Sequence, residues 1–217
     1  MNLFRTPFFL PWLYPRLTWR VPTSEKKVFL TFDDGPVPGP TTFVLATLQQ
    51  VKARATFFCI GDNVRKHPQV FNEILQAGHV VGNHTFNHLK GWNTPLQLYL
   101  DNIQQCTAAF SQHENWIKPG NQLAGNNIAF RPPYGRITRA QINALQHHYR
   151  IVMWDVLTND YDKSLSLERC LQGTRQATRP GSIVVFHDSY KAEKNLTYVL
   201  PRYLDYLRAE GYTFGVL

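Results

Sequence analysis

The sequence predicts a single parallel α/β domain, on three observations. Short apolar runs alternate with helical patterns along the chain, the runs are continuously apolar as in strands covered on both faces, and the residues capable of chemistry stand where the runs end. A chain of 217 residues, 43% hydrophobic and 18% charged, is long enough for one domain with a substantial core. "KVFLTF" (27–32) reads as the first strand, "TTFVLATLQQVKA" as a helix, and "ATFFCI" (55–60) as the second strand. A helix near 68–77 stops at Gly78, "HVVG" (79–82) is the third strand, and a longer helical pattern follows around 95–113. "IAF" (128–130), a helix near 138–148, "RIVMWD" (150–155), a helix near 167–178, "SIVVFH" (182–187), a helix near 196–209 and "TFGVL" (213–217) complete the order. Seven strands alternating with helices imply a parallel sheet, open or closed into a barrel.

Composition narrows the partners. The net charge is +8, but Lys and Arg are scattered, so no nucleic-acid footprint is visible. Cys59, Cys106 and Cys170 are odd in number and far apart, which argues against a disulfide framework or a thiolate metal site and for free buried thiols. The opening "MNLFRTPFFLPWLYPRLTWR" is apolar and aromatic, but Pro7, Pro11 and Pro15 interrupt it, no small-residue cleavage site follows, and it is too short to span a bilayer. Residues 1–26 are therefore expected to be an arm packed on a domain of residues 27–217. A shallow membrane contact through Phe8, Phe9, Trp12 and Tyr14 is the alternative. With no cleavable signal visible, the expected location is the cytoplasm or the inner membrane surface.

In parallel α/β folds, ligands and catalysis collect where the carboxyl ends of the strands meet the loops. Asp33 and Asp34 end the first run, His84 and His88 follow the third, Arg131 ends the fourth, Asp155 the fifth and His187 the sixth. Adjacent carboxylates at the end of a buried strand repel and are costly to desolvate, so the Asp pair asks for a cation. His84 and His88 are four apart, which on a helical turn places both imidazoles on one face. Alone this is the spacing of an ordinary solvated helix face; with a strand-end carboxylate as third ligand it becomes a two-His, one-Asp set with open positions for water and substrate.

The motifs "TFDDGP", "HTFNH", "RPPYG", "WDVLTND" and "VVFHD", in this order, resemble the five motifs of the NodB-homology polysaccharide deacetylases, carbohydrate esterase family 4, over roughly residues 27 to 190. The resemblance implies a distorted (β/α) barrel of about seven parallel strands in a single domain. It also implies a divalent metal, zinc first, with cobalt, nickel or another divalent ion as alternatives. The substrate would be an N-acetylated carbohydrate, whether a glycan, an oligosaccharide or a lipid-linked sugar.

Carried over residue by residue, the resemblance makes Asp33 the general base, and Asp34, His84 and His88 the metal ligands. Arg131 orients the base, the backbone N–H of Tyr134 holds the oxyanion, and His187 is the general acid, oriented and charged by Asp160. Tyr161 and Val185 line the pocket for the acetyl methyl. The chain departs from the family where Asp-x-x-Asp-Trp is usual: it has Leu157, Thr158, Asn159, Asp160 and Tyr161, and Val185 replaces the usual Leu. Those changes bear on pocket size and substrate choice, leaving the chemistry intact. A non-sugar amide substrate, or a carbohydrate-binding relative without turnover, are the other readings. The second conflicts with the full catalytic set.

Overall fold

The computed structural model describes residues 3–116 and 127–217. The strands are β1 (Lys27–Asp33), β2 (Thr56–Cys59), β3 (Val80–Asn83), β4 (Ile128–Phe130), β5 (Tyr149–Ile151), β6 (Val156–Leu157), β7 (Ile183–His187) and β8 (Thr213–Gly215). The helices are α1 (Phe9–Leu13), α2 (Pro40–Gln50), α3 (Gly61–Lys66), α4 (Pro68–Gln76), α5 (Leu96–Phe110), α6 (Arg139–Leu145), α7 (Leu167–Ala177) and α8 (Glu193–Ala209). The sheet runs β5-β4-β3-β2-β1-β7-β6, with β8 added beside β1, and every ladder among the described residues is parallel. This is the single-domain α/β barrel architecture expected, with the sheet curled so that helices cover its outer face.

The expected strand 150–155 is paired only as far as Ile151, and a further short strand follows it at 156–157. Residues 149–151 pair with β4 at one end of the sheet, whereas 156–157 pair with β7 at the other. The run "RIVMWD" therefore crosses from one sheet edge to the other, and its continuous apolarity reflects burial along the crossing. Helices α1 and α3 are also additions to the sequence reading, both too short to show a clear period.

The N-terminal arm runs along this crossing. Thr18 donates to Ile151 O and accepts from Met153 N, Thr6 N donates to Asp155 O, Leu157 N donates to Phe4 O, and Val21 N donates to Gly181 O. Phe4, Leu17 and Trp19 are buried beneath it. Exposed sheet edges carry unpaired backbone groups, and here the arm pairs them.

The core is apolar on both faces of the sheet, as continuous runs require. Phe32 stacks between Phe57 (5.1 Å between centroids) and Phe186 (5.8 Å). Against that layer α8 buries Leu196, Val199, Leu200, Tyr203, Leu204 and Leu207, the three-and-four spacing of a core-facing helix. Cys59, Cys106 and Cys170 are free and buried, as expected. No helix among the described residues is long and apolar enough to cross a membrane. Because the strands run in one direction, the ends of β1, β3, β4 and β7 meet at one rim, and the β1–β7 register sets Asp33 beside His187.

Candidate active site

Asp33 ends β1 almost wholly buried and receives a 2.7 Å ion pair from Arg131 Nη1. Arg131 itself has no exposed surface. Its Nη1 also donates to Thr31 Oγ1 (2.7 Å), Nη2 to Met153 O (2.8 Å) and Nε to Val152 O (3.3 Å), and its guanidinium lies 4.1 Å from the centre of the Phe58 ring. Each donor group thus has an acceptor, the condition under which a buried guanidinium is tolerated. Burial pushes the Asp33 carboxyl above its ordinary range, and the charges of Arg131 and His187 pull it back.

Next to it, Asp34 sits at φ 80, a left-handed conformation that turns the chain between two adjacent acids. Asn63 Nδ2 holds its carbonyl at 2.7 Å. Its Oδ1 lies 3.2 Å from His88 Nε2 and 3.6 Å from His84 Nε2, yet it is buried with no hydrogen-bond partner. Burial drives His84 well below its usual pKa and lowers His88, which disfavours the charged form of both rings. His84 Nδ1 lies 2.8 Å from Arg131 O and donates to it, which leaves Nε2 as a lone pair. One ligand atom from each of Asp34, His84 and His88 lies within 4.8 Å of the others. A carboxylate oxygen and two imidazole nitrogens at that spacing fit a divalent cation, and the residues present match that group.

The histidines reach this geometry from a loop, which corrects the helical turn expected from their spacing. No helix covers 84–88; Thr85 and His88 take φ 64 and φ 59, and Asn83 and Asn102 bond the backbone of the loop. Positive φ at two non-glycine residues is held in place by these bonds.

His187 ends β7. Its Nδ1 lies 2.7 Å from Asp160 Oδ1, and its backbone N donates to Asp160 Oδ2 at 2.8 Å, so one carboxylate fixes both the ring and the strand end. Burial alone would lower the imidazole pKa, but Asp160, with smaller help from Asp34 and Asp33, raises it to about 9. Asn195 Nδ2, on α8, holds Asp160 O at 3.0 Å.

These groups open on one cavity of about 830 Å³. Tyr134 lines it at φ 60, exposed, with its ring 4.5 Å from His88. Tyr161 stands edge-on to His187 at 4.9 Å, and Val185 forms the floor. Ten of the eleven residues singled out in the sequence thus meet in or directly behind the cavity. Asp155 does not. It is buried beside Ser182, at the start of β7, and ion-paired to Arg179 at 2.7 Å, so it lies at the opposite end of the strand from His187. The expected run 150–155 ends at Ile151, and Asp155 is carried away from the rim by the crossing that follows.

Sequence reasoning missed Asp188 and Asn195. Asp188 accepts from Gly35 N (3.0 Å) and Thr41 Oγ1 (2.6 Å), and its own N donates to Asp33 O (3.0 Å), tying the turn after the two acids to the end of β7. A Cβ at Gly35 would collide with the Asp188 carboxylate, which is why the turn needs glycine. The only signal for Asp188 was its place directly after His187; Asn195 had none.

A family model described as Polysaccharide deacetylase matches residues 20–151. A peptidoglycan-N-acetylglucosamine deacetylase of Bacillus cereus is 34% identical over 200 residues, covering 91% of this chain and 89% of that protein. A chitooligosaccharide deacetylase of Azorhizobium caulinodans is 28% identical over 175 residues, covering 78% of this chain and 77% of its own. Among solved structures, the Bc1960 peptidoglycan N-acetylglucosamine deacetylase superposes with a TM-score of 0.84 at 29% identity, over 98% of this chain and 95% of that one.

Proposed function

The chain belongs to the polysaccharide deacetylase family, and from that premise we propose that it is a zinc-dependent hydrolase removing the N-acetyl group of an N-acetylhexosamine. The observation that carries this reading is the orphaned Asp34 oxygen facing two imidazole nitrogens, with a buried carboxylate paired to Arg131 on one side and a histidine paired to Asp160 on the other. Relatives named for peptidoglycan and chitooligosaccharide deacetylation support the sugar amide as substrate.

Asp34, His84 and His88 would hold the ion. A divalent cation bound there supplies Lewis acidity, polarising the amide carbonyl and making water a better nucleophile near neutral pH. Asp33 takes the proton from the attacking water, and Arg131 keeps that carboxylate ionised and fixed in direction. His187 gives a proton to the departing amine; Asp160 keeps it charged until then. Tyr134 N–H is the donor assigned to the developing oxyanion. Val185 and Tyr161 close around the acetyl methyl, where apolar walls also exclude water.

The test is acetate release from N-acetylated glycosides, chitooligosaccharides and non-sugar amides, with and without a chelator. Release from the glycosides alone, abolished by the chelator and restored by zinc, is expected. Chelator-insensitive release, or release only from non-sugar amides, would overturn the reading.

A further inference from the structure

A second cavity of about 450 Å³ lies between the N-terminal arm and the barrel, walled by Leu10, Tyr14, Leu17, Trp19, Trp92 and Trp154. It adjoins the catalytic cavity, with Tyr134, Trp154 and Leu157 lining both. Four of its side-chain donors, on Arg5, Thr6, Trp19 and Trp92, are already committed to the protein, which leaves chiefly the Tyr14 and Tyr134 hydroxyls. Arg5 donates to Ala177 O through Nε and Nη2, Thr6 to Trp154 O, Trp19 Nε1 to Tyr14 O and Trp92 Nε1 to Ile137 O. A sugar ring placed there would find few partners for its hydroxyls, an expensive arrangement, whereas an aliphatic chain would lose nothing. The arm that builds the cavity also carries Phe8 and Trp12 outward, 91% and 79% exposed, beside half-exposed Phe9 and Leu13. Bulky apolar side chains held in water along one segment mark a surface that meets something apolar.

We propose that this groove holds the aliphatic chain of a lipid-linked N-acetylated sugar, with the sugar in the catalytic cavity and the arm's outer aromatics at the lipid surface. The inference rests on the deacetylase reading for the sugar headgroup alone.

Binding of methyl, butyl and octyl N-acetylglucosaminides to the full chain, by calorimetry below micelle-forming concentrations, tests it without requiring turnover. Each methylene entering the groove should strengthen binding about two- to fourfold, so the octyl glycoside, with seven more methylenes, should bind about 10²–10⁴-fold tighter than the methyl one. Leu10→Asp and Trp92→Ala, each checked for folding by thermal melting, should collapse that difference. Equal affinity across the series, or a full octyl gain in both variants, would overturn the proposal. Acetate release is followed in parallel. Release without chain-length dependence sinks the groove and leaves the deacetylase, whereas chain-length-dependent binding with no release from any glycoside does the reverse.

Discussion

Arg131→Met is expected to cost about 3–5 kcal/mol of stability and most of the activity at neutral pH, because it breaks a buried ion pair by removing one partner. Methionine fills much of the volume against Phe58 but returns no donor to Asp33, Thr31, Val152 or Met153. Burial already raises the Asp33 carboxyl, and Arg131 is the strongest influence pulling it down. Without it, Asp33 holds its proton to higher pH and cannot act as a base until that proton leaves. The acid limb of the rate profile should therefore move to higher pH. Denaturant unfolding and a rate–pH profile check both halves. A variant within about 1 kcal/mol of the parent, with an unmoved acid limb, would show that the pair is neither structural nor catalytic.

His187→Gln should lower turnover about 10²–10⁴-fold, the range for a lost general acid or base. In the parent enzyme the rate should fall as pH drops through the Asp33 pKa, since the base must be ionised, and fall again as pH rises through that of His187. The latter is raised to about 9 by Asp160. A cation at Asp34, His84 and His88 repels the imidazolium and favours the Asp33 carboxylate, so both limbs should shift to lower pH in the loaded enzyme. The variant should keep the acid limb and lose the alkaline one. An alkaline limb that survives in His187→Gln would assign the acid elsewhere.

How much of this was legible in the sequence differs by residue. The strand-end acids and His187 were readable because β1 and β7 are long apolar runs that stop abruptly at charge, and direction along a parallel sheet then fixes which rim they share. The His84–His88 pairing was readable but its backbone was not: a spacing of four suits a helix, and the loop that replaces one is held by the side chains of Asn83, Thr85 and Asn102 and by backbone bonds to Cys59, Gly61 and Asp62. Asp155 was misplaced because apolarity persists through Val152 and Met153 after strand pairing with β4 has ended. The arm's pairing with residues 151–157 joins segments over 130 residues apart, and no local pattern encodes such a contact. Asn195 acts through one amide on a helix otherwise read from its apolar face.

The division of labour between the two adjacent acids is the center of the mechanism, and zinc binding by equilibrium dialysis, run beside acetate release on Asp33→Asn and Asp34→Asn, tests it most directly. Asp33→Asn should bind zinc with near-parental affinity and lose about 10²–10⁴-fold in turnover, while Asp34→Asn should lose zinc first and activity with it. Zinc lost from Asp33→Asn but retained by Asp34→Asn would reverse the two roles and contradict the mechanism.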